Sequence, residues 1–139
     1  MFERMTESAR RTIFHARKEA SEQGLALIGS EHLLYGVMCE DEPLFKKLAG
    51  PNVEIIRHRL AFSGERHQDR QRDLPLGEEA KLILRSTAEE ADRLGDWMIG
   101  TEHLLAGFLL VPDCAAAKIL SESGLTLEAI RNELKARPR

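Results

Sequence analysis

Two glutamate–histidine pairs, Glu31-His32 and Glu102-His103, are the side chains of this sequence best placed to do chemistry. An adjacent carboxylate and imidazole suit general acid–base work or a metal ion. Both pairs lie in the same hexapeptide, G-[ST]-E-H-L-L, at Gly29–Leu34 and Gly100–Leu105. A zinc site would need third and fourth ligands at workable spacing, and the chain has no C-x-x-C and no H-E-x-x-H. It has no G-x-S-x-G either, so a hydrolase built on His32 and His103 finds no nucleophile arrangement. Cys39 and Cys114 are not equivalent positions of the two halves, which argues against a symmetric metal or redox role. A blander chemistry fits better. Each glutamate falls in the first turn of a helix, where the dipole favours an anion. The histidines are then structural, bonding the loop or the opposite half. The expectation is no catalytic residue, no metal and no cofactor.

The elements that must position these pairs come in two copies. Residues 7–36 match residues 78–107 at 12 of 30 positions without a gap. In the first copy Thr6 is a helix N-cap, and Ala9, Ile13, Ala16 and Ala20 form an apolar stripe. Ala80, Leu84, Thr87 and Ala91 repeat that stripe, and Gly24 and Gly95 end both helices. A second helix opens at Ser30 and at Thr101, each read as an N-cap. Two shorter helices follow in each copy, around Leu44–Ala49 and Val53–Leu60, then Cys114–Ser123 and Leu127–Lys135. The fold class is therefore all-α, with eight helices in two pseudo-two-fold related four-helix repeats forming one domain. Repeat one covers 1–62, a polar linker 63–73, and repeat two 74–139. Met1, Phe2 and Met5 correspond to Leu74 and Leu76, and these apolar residues either cover the seam between repeats or line a docking groove. Trp97 is read as an interface anchor or a half-buried packing residue.

Composition limits the partners. The 139 residues are 42% hydrophobic and 31% charged, with a formal net charge of −3. That range supports a folded core, and the lack of a basic excess argues against nucleic acid. No apolar run is long enough to cross a membrane, and no secretory leader is visible. Two cysteines fit a reducing, cytoplasmic setting.

The doubled G-[ST]-E-H-L-L, the E-A-x-x-x-G spacing ahead of it and the opening Met1-Phe2-Glu3-Arg4 closely resemble the Clp N-terminal (Clp repeat) domain. That module fronts the Hsp100 unfoldases of the ClpA and ClpC type, and the opening is most like the ClpC branch. The resemblance implies a non-catalytic domain that docks adaptor proteins and protein substrates for an AAA+ unfoldase ring, in cis or in trans. The chain has no G-x-x-x-x-G-K-[ST] loop of its own. A stand-alone regulator or scaffold of the same fold, serving no ATPase, is the alternative. By resemblance to ClpC-type members, Glu31 and Glu102 would bind arginine-phosphorylated substrates. A hydroxyl opening each repeat would assist the phosphate; the first copy keeps it as Thr6, whereas the second has Gly77-Glu78-Glu79. The resemblance thus pairs Thr6 with Glu31 as the better site and leaves Glu102 the weaker, with Phe2, Met1 and Leu76 as apolar contacts. Gly29, Ser30, His32, Gly100, Thr101 and His103 form the structural motif.

Overall fold

The Thr6 hydroxyl accepts a hydrogen bond from the Ala9 N–H at 3.1 Å, and this cap starts the first helix. In the computed structural model, which describes residues 2–60 and 73–137, eight α-helices follow in two sets of four. The first set is α1 (Glu7–Glu22), α2 (Ser30–Glu40), α3 (Glu42–Ala49) and α4 (Val53–Arg59). The second is α5 (Glu78–Leu94), α6 (Thr101–Leu109), α7 (Ala115–Glu122) and α8 (Leu127–Ala136). The all-α, two-by-four architecture read from the sequence is the one observed. Met1 and most of the polar stretch read as a linker lie outside the described residues.

Gly24 and Gly95 stop α1 and α5 with φ of 74° and 76°, in the left-handed region that glycine enters freely. The chain then returns, so α2 packs on α1 and α6 on α5 as helical hairpins. The approach is close because Gly36 and Gly107 face Thr12 and Thr87 across the two crossings. A Cβ at Gly36 would run into Thr12 O, and one at Gly107 would run into Thr87 Oγ1 and stand 3.0 Å from Ile83 O. Helices α2 and α6 form the centre. Leu33, Leu34 and Val37 from one, and Leu104, Leu105 and Phe108 from the other, are fully buried. Residues 101–108 of α6 are all buried, so this helix is covered on every face rather than on one stripe.

The two sets are tied together by their opening segments, which change partners. Thr6 N–H donates to Ile99 O at 2.9 Å and Ile99 N–H to Arg4 O at 2.7 Å. The second copy does the same with the first: Ile28 N–H donates to Pro75 O at 3.0 Å and Gly77 N–H to Ile28 O at 2.9 Å. Met5 and Leu74, in these crossed segments, are buried, and Leu76 is partly buried against the core. Phe2 behaves otherwise, with 51% of its surface exposed.

Candidate docking site

Each glutamate is held by a turn that the motif builds in the same way twice. The expectation that Ser30 and Thr101 cap α2 and α6 is corrected here: both are the first helical residues, and Gly29 and Gly100 occupy the cap position. Glycine brings no capping side chain, so the motif supplies one from inside the helix. His32 Nδ1 accepts the Gly29 N–H at 2.9 Å, and His103 Nδ1 accepts the Gly100 N–H at 2.9 Å. An accepting Nδ1 places the ring proton on Nε2. That nitrogen donates to Gln23 Oε1 at 3.2 Å in the first copy and to Asp96 Oδ2 at 3.0 Å in the second. Burial pushes the His32 imidazole below its ordinary pKa, in keeping with the neutral form. Both histidines are thereby fully committed to holding their own loops.

The spacing from glycine to glutamate has a steric cause. Both cap glycines have extended φ, near −98° and −109°, which any residue could adopt. What they provide is room. A Cβ at position 29 would stand 2.5 Å from Glu31 Oε1, and one at position 100 would stand 2.6 Å from Glu102 Oε1. The carboxylates therefore fold back over the cap residue. Each comes to rest beside its own histidine, at 3.8 Å for Glu31 and 3.7 Å for Glu102.

Freed from capping, the hydroxyls of the motif clasp the opposite repeat. Thr101 Oγ1 donates to Asp41 Oδ2 at 2.7 Å, and Ser30 Oγ accepts from the Ala116 N–H at 3.2 Å. Asp41 caps α3 with its other oxygen, which accepts from Leu44 N–H at 3.3 Å. Cys114 caps α7 through sulfur, and burial raises its thiol pKa. The sequence reading missed Asp41 as a member of the motif. Its signal was there, an acid just ahead of Glu42-Pro43 at a helix start.

The crossed opening segments also change which residues share a site. Thr6 is hydrogen-bonded to Ile99, three positions ahead of Glu102, and so belongs with the second glutamate rather than with Glu31. Glu31 instead faces the Gly77-Glu78-Glu79 opening through Ile28. The pairing of Thr6 with Glu31 is thus corrected, because α1 carries Thr6 and the Glu31 turn to opposite ends of its length. The two sites differ in cover as well. The Glu31 side chain is 36% exposed, whereas Glu102 is 11% exposed and pairs with Arg137 Nη1 at 3.0 Å. No sequence pattern had pointed to Arg137. Beside the second site, Trp97 is two-thirds exposed, with the Arg4 guanidinium 4.8 Å over its ring. Arg4 is itself fixed by Asp92 at 2.8 Å and by the Trp97 and Asp96 carbonyls. Phe2 and Leu76 lie on the opening segments flanking the two sites, exposed and partly buried respectively. Among the described residues no three His, Cys, Asp or Glu side chains converge on a metal position, and no helix is long and apolar enough to cross a membrane.

A family model described as the Clp repeat (R) N-terminal domain matches residues 4–123 and again residues 75–137. The chain is 31% identical over 137 residues to the negative regulator of genetic competence ClpC/MecB of Bacillus subtilis. It is 30% identical over 138 residues to the ATP-binding subunit ClpC of the ATP-dependent Clp protease of Staphylococcus saprophyticus. Each alignment takes in 96% of this chain and 17% of the relative, so the chain spans about a sixth of the length of these relatives. Among solved structures, the N-terminal domain of the chaperone ClpD from Arabidopsis thaliana is similar with a TM-score of 0.73 and 25% identity, over 98% of this chain and 97% of that one. The Hsp104 N-terminal domain from Candida albicans shares the fold, with a TM-score of 0.72 and 19% identity over 97% and 93% of the two chains.

Proposed function

We propose, from the fact that this chain belongs to the Clp repeat N-terminal domain family, that it docks adaptors and protein substrates for a Clp unfoldase, and that Glu31 and Glu102 receive arginine side chains of those proteins. The observation that carries this reading is the twofold construction of a carboxylate over a glycine. Each carboxylate is fixed by a histidine-capped turn and set against the opening segment of the other repeat. A guanidinium that reaches either carboxylate meets an acceptor already placed by its turn, at the second site in exchange for Arg137. Where the arginine is phosphorylated, its phosphate would be met at the Glu102 site by the Thr6 hydroxyl and the N-terminal amides of α1. The Glu31 site has no such hydroxyl and has two glutamates opening α5, so it favours a plain cation over a phosphorylated one. The stand-alone regulator reading uses the same surface and differs only in what lies in the rest of the gene.

Binding of an arginine-phosphorylated protein and of its unphosphorylated form, measured by calorimetry on this chain and on Glu31→Gln and Glu102→Gln, is the test. Each substitution is expected to weaken binding while leaving the fold intact. Unchanged binding in the double variant would remove the glutamates from the account.

A further inference from the structure

We propose that Arg137 closes the second glutamate site in cis, so that Glu102 meets an incoming arginine only when Arg137 swings away. This rests on the reading above, that the two glutamates take guanidinium groups. Glu31 and Glu102 are built alike, each lying over its glycine and beside its own histidine. They differ in which cation, if any, stands on the carboxylate. Arg137 stands on Glu102, and among the described residues no lysine or arginine pairs with Glu31. The group that fills the second site is thus the same chemical group the site is proposed to bind.

The hold is weak enough to release. Arg137 follows the last turn of α8, its side chain is 42% exposed, and its Nη1 stands 3.0 Å from Glu102 Oε2. Its backbone N–H makes only a long bond of 3.4 Å to Leu134 O. An ion pair whose arginine is this exposed shifts an equilibrium by about two- to fivefold. The consequence is an asymmetric pair of sites. The open one lacks a hydroxyl, and the one beside Thr6 is covered by a displaceable arginine. A ligand that engages the second site must compete with Arg137, and its apparent affinity falls by the closed fraction.

The experiment titrates phospho-L-arginine into the chain and follows backbone amides of the two turns separately by nuclear magnetic resonance. In Arg137→Ala the apparent Kd at the Gly100–His103 turn is expected to fall by about two- to fivefold, with the Gly29–His32 turn unchanged. Arg137→Lys, which keeps the charge, should lie between the two. An unchanged second turn in Arg137→Ala would overturn the proposal. So would a weakened one, which would make Arg137 a partner of the phosphate instead of a competitor. If neither turn responds in either protein, the guanidinium reading itself fails and takes this inference with it. A response at Gly29–His32 alone, in both proteins, defeats only the cis closure.

Discussion

Glu90, on the inner face of α5, has a side chain only 1% exposed and carries its charge against two arginines. Arg93 reaches it at 3.2 and 2.8 Å, and Arg131 of α8 at 3.0 and 2.9 Å through a two-pronged fork. The hydrogen bonds from Arg93 and then those from Arg131, acting against the opposing push of burial, lower its pKa from 4.5 to about 2. A depressed carboxylate contributes stability that is complete above its unfolded value and disappears as pH falls through its folded value. The window here is therefore from about pH 4.5 down to about pH 2, and the full contribution is about 3 kcal/mol. Linkage places about 2 kcal/mol of that loss between pH 6 and pH 3. Glu90→Gln keeps the shape and removes the titration. It should cost about 3 kcal/mol near pH 7, at the lower end for a broken buried pair. The arginines are 47% and 33% exposed and can turn to water, which limits the penalty. Urea unfolding of both proteins at several pH values measures the gap directly. It should narrow as the solution is acidified, to about 1 kcal/mol by about pH 2.5. A gap of constant size from pH 7 to pH 2.5 would refute the assignment of this stability to an ionised, doubly paired Glu90.

Gly36→Ala should destabilise the chain by about 3 kcal/mol in urea unfolding, because the added methyl meets the Thr12 backbone and not a movable side chain. Gly100→Ala meets only the Glu102 carboxylate, which can move, so it should lose about 1 kcal/mol of stability and still displace the acceptor, weakening arginine binding at that turn. Thr101→Val leaves Asp41 without its donor across the repeats and should cost about 1–2 kcal/mol by the same assay. Under native conditions a thiol reagent should modify Cys39, which is exposed, and spare Cys114, which is buried and has a raised pKa, until the chain is unfolded.

The helices were legible because their signals are local. Thr6, Gly24 and Gly95 punctuate α1 and α5, and the doubled leucines announce the buried centre. The motif was legible as a unit, but its internal division of labour was not. Serine and threonine are the usual caps, so Ser30 and Thr101 read as caps. The histidine that takes the cap N–H from within the helix is a less common solution, and it releases both hydroxyls to the opposite repeat. The partners of the sites lay further from reach. Which glutamate Thr6 serves depends on crossed backbone pairing between segments far apart in sequence, and a repeat compared with itself cannot distinguish crossed from uncrossed neighbours. Arg137 had no counterpart in any pattern, since one exposed arginine after a helix is ordinary in sequence and acquires meaning only from the carboxylate it meets.

The central claim is that two arginine-docking turns are each completed by the opening segment of the other repeat. Amide spectra of the chain, titrated in turn with a peptide carrying one plain arginine and with the same peptide phosphorylated on it, test it most directly. The prediction is that Gly29–His32 moves together with Gly77 along one binding curve, and that Gly100–His103 moves together with Thr6 along another. Movement of Thr6 in step with Gly29–His32, or saturating shifts confined to surfaces away from both turns, would contradict it.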